Sequence, residues 1–229
     1  MRTLGLLLFV MLFPAALGAL PPAGTVVSAA DIAACGLDSC FRVAPLSDAV
    51  FARMQGKSYP KGCRIGRNEL RHVRVLHYDL EGHVRTGELV CNRQIADDVA
   101  EIFRELYDNK YPIGSVRLID DFDADDRQSM RANNTSCFCY RGVAGGKKLS
   151  KHARGLAVDI NPLYNPCRRR LSGGKWRVEP DNAVKYCDRS KAFPCKIDRN
   201  DLCYRLFTAR GFRWGGNWRT LKDWQHFEK

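Results

Sequence analysis

Two segments that lie far apart in the chain constrain its fold more than any other feature. The first runs from Ser150 to Asp159 and reads Ser-Lys-His-Ala-Arg-Gly-Leu-Ala-Val-Asp; the second, Asp223-Trp-Gln-His226, lies near the C-terminus. Two histidines and a carboxylate form a ligand set that suits zinc, and a further carboxylate beside them can act as a base. A fold that uses these residues together must bring the two segments into contact.

The spacing within each segment predicts how the side chains converge. His152 and Asp159 are seven positions apart and would face opposite sides of one straight strand, so we expect the chain to turn at Gly155. Asp223 and His226 are three positions apart, which favours a helical turn or a bulged strand. We therefore predict that His152, Asp159 and His226 hold one zinc ion per chain. Asp223 is the predicted base.

The two segments resemble the motifs of a known family. Ser-x-His-x-x-Gly-x-Ala-x-Asp followed downstream by acid-x-x-His is similar to the zinc D-alanyl-D-alanine carboxypeptidase family. That family includes VanY-type enzymes and L-alanyl-D-glutamate endopeptidases, and it shares a fold with the hedgehog signalling domain and lysostaphin-type peptidases. The endings Gly211 to Trp218 and Asp223 to Glu228 resemble the branch that uses Asp as base. The resemblance covers roughly residues 60 to 228.

This resemblance implies a zinc metallopeptidase that hydrolyses amide bonds in peptidoglycan stem peptides. The enzyme would be a D,D-carboxypeptidase or an L-Ala-D-Glu-type endopeptidase, with a zinc-bound water as nucleophile. The family pattern carries over His152, Asp159 and His226 as ligands, and Asp223 as the general base. Ser150 matches the motif serine, which implies a role in holding the substrate carboxylate; its alternative role is a hydroxyl bonded to nearby backbone.

The segment before the first motif departs from the family pattern. Many members place an arginine there that polarises the scissile carbonyl, whereas this chain reads Asp120-Asp-Phe-Asp-Ala-Asp-Asp-Arg127. We predict substrate-binding roles for Arg131 and Arg141 and keep Arg127 as a further candidate for the same task. A cation facing the developing oxyanion contributes a few kcal/mol in the transition state.

The competing function is a zinc-containing binding or signalling domain of the hedgehog-like type, without catalysis. Asp223 discriminates between the two, because a purely structural zinc site needs no acid beside an open position. The three other histidines, His72, His77 and His83, lie in a predicted hairpin and are interpreted as ordinary strand residues.

Residues 1–19 predict export. A positive Arg2, an apolar run from Leu4 to Phe13 and small residues up to Ala19 are typical of a cleaved signal peptide. The run is shorter than the roughly 20 residues that a bilayer span needs, so we expect no stable membrane span after cleavage. An uncleaved anchor is the alternative. The expected location is periplasmic or extracellular.

The ten cysteines agree with export, because an even number in an exported chain predicts disulfides. Their pairing does not follow from the sequence. A structural zinc cluster is disfavoured, since no two Cys-x-x-Cys pairs occur.

The formal net charge of +12 favours anionic partners, among them cell-wall polymers beside the peptide substrate. The chain lacks a recognisable nucleic-acid motif, so we predict no nucleic-acid partner. The oligomeric state does not follow from the sequence.

The predicted fold class is α+β, a small and mostly antiparallel sheet with flanking helices, disulfide-rich and similar to hedgehog and D-Ala-D-Ala peptidases. We expect an irregular lead-in over residues 20–60 and the zinc peptidase domain over residues 61–229. The predicted elements are a hairpin over 72–90, a helix capped by Asn92 and ending near 109, a strand over 115–120, a short helix over 123–130, a strand over 156–160, a cross-linked loop over 161–197, a helix over 198–210 and a strand over 212–218.

Overall fold

The computed structural model describes residues 20–141 and 149–229. The helices in this part of the chain are α1 (Ala29–Cys35), α2 (Asp48–Met54), α3 (Ala96–Asp108), α4 (Asp126–Arg131) and α5 (Leu202–Ala209). The strands are β1 (Arg42–Pro45), β2 (Leu70–Tyr78), β3 (Val84–Asn92), β4 (Ser115–Val116), β5 (Asn134–Thr135), β6 (Ala157–Asp159), β7 (Cys167–Arg170), β8 (Trp176–Glu179), β9 (Arg213–Trp214), β10 (Leu221–Asp223) and β11 (His226–Glu228). The predicted signal peptide lies outside the described residues.

The predicted hairpin is confirmed and forms the largest strand pair. β2 and β3 pair antiparallel from Leu70 opposite Asn92 to Tyr78 opposite Val84. The connection is tight because the Asp79 carboxylate accepts the N–H groups of residues 81 and 83, and Gly82 adopts a positive φ of 86°.

Residues 20–60 are more ordered than the predicted irregular lead-in. They form α1, α2 and β1, and β1 extends the hairpin by pairing antiparallel with β2, Arg42 opposite Arg74. Ser28 and Ser47 cap the two helices by accepting backbone N–H groups of the first turn. Short helices with serine caps and a four-residue strand carry little hydrophobic periodicity, which explains why the sequence pattern missed them.

Helix α3 packs its apolar face on the hairpin and forms the main core. Ile102 and Phe103 are fully buried in one cluster with Val73, Val75 and Leu89 of the strands. Alternate strand residues and the helical repeat of apolar positions meet there, as the two periodicities predict.

The predicted cap of α3 is wrong in detail. The Asn92 side chain accepts the N–H of Gln94 and closes a turn before the helix, whereas Ile95 occupies the cap position without a side-chain bond. A turn inserted between strand and helix displaces the cap from the first polar residue.

The other predicted elements occur with shifted bounds. The strand expected over 115–120 is reduced to β4, which pairs parallel with β5. The helix expected over 123–130 is α4, capped by Asp125, and the helix expected over 198–210 is α5, followed by Gly211 with a φ of 81°.

The predicted loop over 161–197 contains regular structure. β7 and β8 form a hairpin whose turn uses Gly173 and Gly174, both at positive φ, and β10 adds to it in the order β10-β7-β8. A separate three-stranded sheet has the order β6-β11-β9. The strands were not predicted because the high Arg, Gly and Cys content of the segment is typical of a loop. The mixture of helices and small, mostly antiparallel sheets agrees with the predicted α+β class.

All ten cysteines lie in the described part of the chain and are present there as free thiols. No two of these thiols lie at disulfide-bond distance. Disulfide bonding therefore stays a prediction. Among residues 20–141 and 149–229, no helix combines the length and the apolar character needed to cross a membrane.

Candidate metal centre

Three short elements position the residues predicted as ligands. His152 opens a 3-10 turn over 152–154, Asp159 is the last residue of β6, and His226 is the first residue of β11. β6 and β11 pair antiparallel with His226 directly opposite Asp159, which places their side chains on one face. The strand pair thus brings the two distant segments into contact.

The turn that delivers His152 depends on Gly155, as predicted. Gly155 adopts a left-handed φ of 66°, and a Cβ there would lie 2.7 Å from the backbone nitrogen of Asn92. Only glycine satisfies both the backbone angle and the close approach to β3. His152 and Asp159 therefore converge although their spacing would separate them on a straight strand.

The ligand atoms form a nearly equilateral triangle. His152 Nε2 lies 3.1 Å from His226 Nδ1 and 3.2 Å from Asp159 Oδ1, and His226 Nδ1 lies 3.0 Å from the same oxygen. A tetrahedral ion bound at about 2.0–2.1 Å needs ligand atoms about 3.3 Å apart. The triangle has the dimensions of one face of a zinc site, and its three residues are buried.

Neighbouring acceptors fix which nitrogen of each histidine faces the triangle. His152 Nδ1 donates to the backbone carbonyl of Cys137 at 2.7 Å, which leaves Nε2 for a metal. His226 turns its Nε2 toward the Glu228 carboxylate at 3.4 Å, which leaves Nδ1. Such outer acceptors orient metal-binding imidazoles and raise their basicity. The donor set and its supports thus fit zinc.

The charges around the triangle favour an ionised Asp159. Burial alone would raise its pKa, but His152 and His226 outweigh burial and hold the pKa of this carboxyl far below its usual range. Burial likewise opposes a charge on His226, yet bonds with Asp159 and Glu228 raise the pKa of that imidazole to about 10. A metal needs an ionised carboxylate and a neutral imidazole, so Asp159 is already in the ligating form, whereas His226 would release its proton when an ion binds.

Asp223 lies at the end of β10 beside this cluster. The bend formed by Trp224 and Gln225 separates it from His226, so neither of the predicted arrangements, a helical turn or a bulged strand, occurs. Its Oδ1 is buried and has no hydrogen-bond partner among the described residues. Burial raises the pKa of Asp223 to about 6, although the charge of His226 acts in the opposite direction. A carboxylate with a free oxygen and a pKa near neutrality has the properties of a general base.

Ser150 lies two residues before His152 and bonds to nearby backbone. Its Oγ accepts the backbone N–H of Ala153 at 3.0 Å and bonds to the carbonyl of Arg141 at 3.4 Å. The hydroxyl therefore caps the turn that carries His152, which matches the backbone-bonding alternative for this serine.

The three candidate arginines occupy different surroundings. Arg141 is half-buried and pairs with Asp126 at 2.6 Å. Burial would lower its pKa, but the charges of Asp126, Asp159 and Glu179 raise it. Its Nε has no hydrogen-bond partner within the described chain. Arg131 pairs with Asp181 on the surface, and Arg127 is exposed. Arg141 is thus the candidate that lies nearest to the metal triangle.

Two further residues contact the predicted site residues and were not predicted from the sequence. Glu228 supports His226 and is itself held by Arg213 at 2.6 Å. Cys167 lies opposite Asp223 in the β7–β10 pair and contacts its carboxylate. The alternation of the last strand, which places Glu228 two residues after His226 on the same face, is the signal that could have identified the first.

Comparison with known proteins finds one family model that matches part of the chain. Residues 144–229 match a family model described as D-alanyl-D-alanine carboxypeptidase. No curated protein and no solved structure matches the chain significantly, so the hedgehog-like fold stays a prediction. The matched segment contains His152, Asp159, His226 and Asp223. The comparison confirms the resemblance of this segment to the D-alanyl-D-alanine carboxypeptidase family, whose members are metal-dependent peptidases.

Proposed function

We propose that the protein is an exported zinc metallopeptidase that hydrolyses amide bonds in peptidoglycan stem peptides. One observation carries the proposal: three ligand atoms 3.0–3.2 Å apart lie beside Asp223, whose Oδ1 is buried and unbonded within the described chain. The family match supports the same reading. Export, to the periplasm or the medium, is proposed from the signal-like residues 1–19.

His152, Asp159 and His226 would hold the ion. Zinc bound to them would act as a Lewis acid on the scissile carbonyl and lower the pKa of a water ligand. These three residues supply three donor atoms, which would leave one position of a tetrahedral ion for water or substrate.

Other side chains of the protein would transfer the proton, stabilise the developing charge and hold the turn that carries His152. Asp223, ionised above its pKa of about 6, accepts a proton from the attacking water and then delivers it to the leaving amine. Arg141, held by Asp126, supplies positive charge toward the developing oxyanion. Ser150 keeps the His152 turn in place through its bond to Ala153.

The alternative, a non-catalytic zinc domain of hedgehog-like type, gives no role to the unbonded oxygen of Asp223. A buried polar atom without a partner is costly, and active sites are where such atoms are retained.

Digestion of defined muropeptides, followed by mass spectrometry, tests the proposal. Loss of one terminal alanine from a stem ending in D-Ala-D-Ala identifies a D,D-carboxypeptidase, and a cut between L-Ala and D-Glu identifies an endopeptidase. Asp223→Ala should abolish either product and keep zinc. Zinc-loaded wild-type protein that cleaves neither substrate would favour the non-catalytic alternative.

A further inference from the structure

A cavity lies on the small β10-β7-β8 sheet. It has a volume of about 370 Å³, which is within the usual range for small-molecule pockets. Four basic and two indole side chains line it, and we call this site the basic cavity: Arg168, Arg189, Arg219, Lys222, Trp176 and Trp224.

The basic cavity opens on the sheet face opposite to Asp223. In the sheet register, Lys222 lies opposite Arg168, whereas Asp223 lies opposite Cys167. Successive residues of a strand point to opposite faces, so Lys222 and Arg168 share the face that Asp223 does not use. A ligand bound in this cavity would therefore not occupy the metal centre.

Its cations are not neutralised by the protein. No carboxylate lines the cavity, and within residues 20–141 and 149–229 none of its four basic side chains forms an ion pair. Arg189 is partly buried, yet its hydrogen bonds go to the carbonyl oxygens of Tyr164, Tyr186 and Ile197 and to the amide oxygen of Asn165. Four cations focused on one concave surface favour an anionic ligand.

The exposed ring of Trp176 gives the basic cavity an apolar surface, and the buried ring of Trp224 supports Arg189 from the core. Arg168 stacks on the ring of Trp176 at 3.8 Å, and Arg189 stacks on Trp224 at 4.9 Å. Trp176 remains 52% exposed, which is unusual for the largest apolar side chain. An exposed indole beside stacked guanidinium groups suits a ligand made of flat-faced rings that carry negative charges, and the C–H face of a sugar ring packs well on such a platform.

We propose that the basic cavity binds an acidic oligosaccharide, with anionic groups on the arginines and a sugar ring on Trp176. The guanidinium groups of Arg168 and Arg219 form no hydrogen bond or ion pair with the described part of the chain, so they are available to bind carboxylate or phosphate groups in two-pronged geometry. The site lies outside the metal centre, and its occupation does not depend on hydrolysis.

Binding of oligogalacturonides, measured by titration calorimetry with the full mature chain, tests the proposal. The double variant Arg168→Gln/Arg219→Gln should raise the Kd at least about tenfold, since it removes two charge-assisted hydrogen-bond donors from the cavity. The matched control Arg42→Gln/Arg205→Gln removes two exposed arginines elsewhere and should change the Kd less than about twofold. Trp176→Ala should weaken binding while leaving the melting temperature unchanged.

Three outcomes would overturn the proposal. Equal weakening by both double variants would show general attraction to a basic protein. Equally tight binding of a neutral oligosaccharide would exclude a role for charge, and tighter binding of single-stranded DNA with the same residue dependence would assign the cavity to nucleic acid. Asp223→Asn should bind the oligogalacturonide like the wild type, so loss of hydrolysis and loss of glycan binding are separable.

Discussion

Gly215 lies so close to Asp223 that a Cβ at position 215 would be 2.6 Å from the Asp223 carbonyl oxygen. The same Cβ would be 2.9 Å from the Asp223 Cβ and 3.3 Å from the Cβ of His226. The turn over 215–217 therefore packs directly against Asp223 and His226, and no side chain fits at position 215. All three neighbouring atoms are backbone or Cβ atoms, which cannot rotate away.

Gly215→Ala should therefore displace Asp223 and lower kcat at least about tenfold, because a shift of about 1 Å at a reacting group is enough for a large loss. Asn217→Ala, in the same turn but exposed, is the control and should keep activity within about twofold. Peptide hydrolysis and thermal melting are measured for both. Full activity of Gly215→Ala would mean that the position of Asp223 is not critical.

Asp223→Asn keeps the shape of the side chain and removes its ability to take a proton. We expect a fall in kcat of about 10²–10⁴-fold with zinc content unchanged. Asp188→Asn, an exposed substitution, serves as the charge-matched control. A base works when ionised, and the pKa of Asp223 is raised to about 6, so wild-type kcat should rise as the pH increases through about 6. A rate that is flat from pH 5 to pH 7 would contradict this role.

Substitution of Arg141 and of Arg131 should affect kcat differently. Arg141→Gln should lower kcat by about 10–100-fold, because it removes positive charge next to the metal triangle. Arg131→Gln should change kcat less than about twofold, since Arg131 pairs with Asp181 at the surface. Arg141→Lys should recover part of the activity by restoring the charge. A larger loss in Arg131→Gln than in Arg141→Gln would transfer the role to Arg131.

Glu88 of β3 forms ion pairs with His72 of β2 and Arg53 of α2. These pairs should make the stability of the fold depend on pH. Burial would raise its pKa, but bonds from His72 and Arg53 outweigh burial and lower it from 4.5 to about 2. A lowered carboxyl pKa stabilises the fold above about pH 4.5, and this stabilisation is lost as the pH falls toward 2.

Glu88→Gln should reduce the free energy of unfolding at pH 7 by about 1–3 kcal/mol, the lower part of that range reflecting the exposure of Arg53. The difference from the wild type should shrink below pH 4, as followed by urea denaturation. Glu81→Gln, an exposed control, should show no such dependence. A difference that stays constant down to pH 2 would rule out this ionic link.

Long, strongly patterned segments were predictable, and short ones were not. The β2–β3 hairpin and α3 follow from periodicities of two and 3.6, because each buries one face against the other. β1 and the β7–β8 hairpin span four residues per strand, too few for a pattern to stand out, and their pairing depends on contacts distant in sequence.

The three residues predicted as metal ligands could be selected from the sequence for a different reason. His152, Asp159 and His226 follow from ligand chemistry and the resemblance, and Gly155 follows from the turn that the spacing requires. The supporting contacts were beyond the sequence, because the Cys137 carbonyl and the Cys167 thiol reach the centre only through tertiary packing. The placement of the arginines likewise depends on their partners Asp126 and Asp181, which the sequence does not connect to them.

Zinc content tests the central claim most directly. Elemental analysis of the purified mature protein should give about one zinc per chain for the wild type and for Asp223→Asn, and none for His152→Ala. His83→Ala is the matched control and should keep the ion, because His83 is exposed at the hairpin end. A folded wild-type protein that binds no zinc, or a His152→Ala variant that still binds one, would contradict the account.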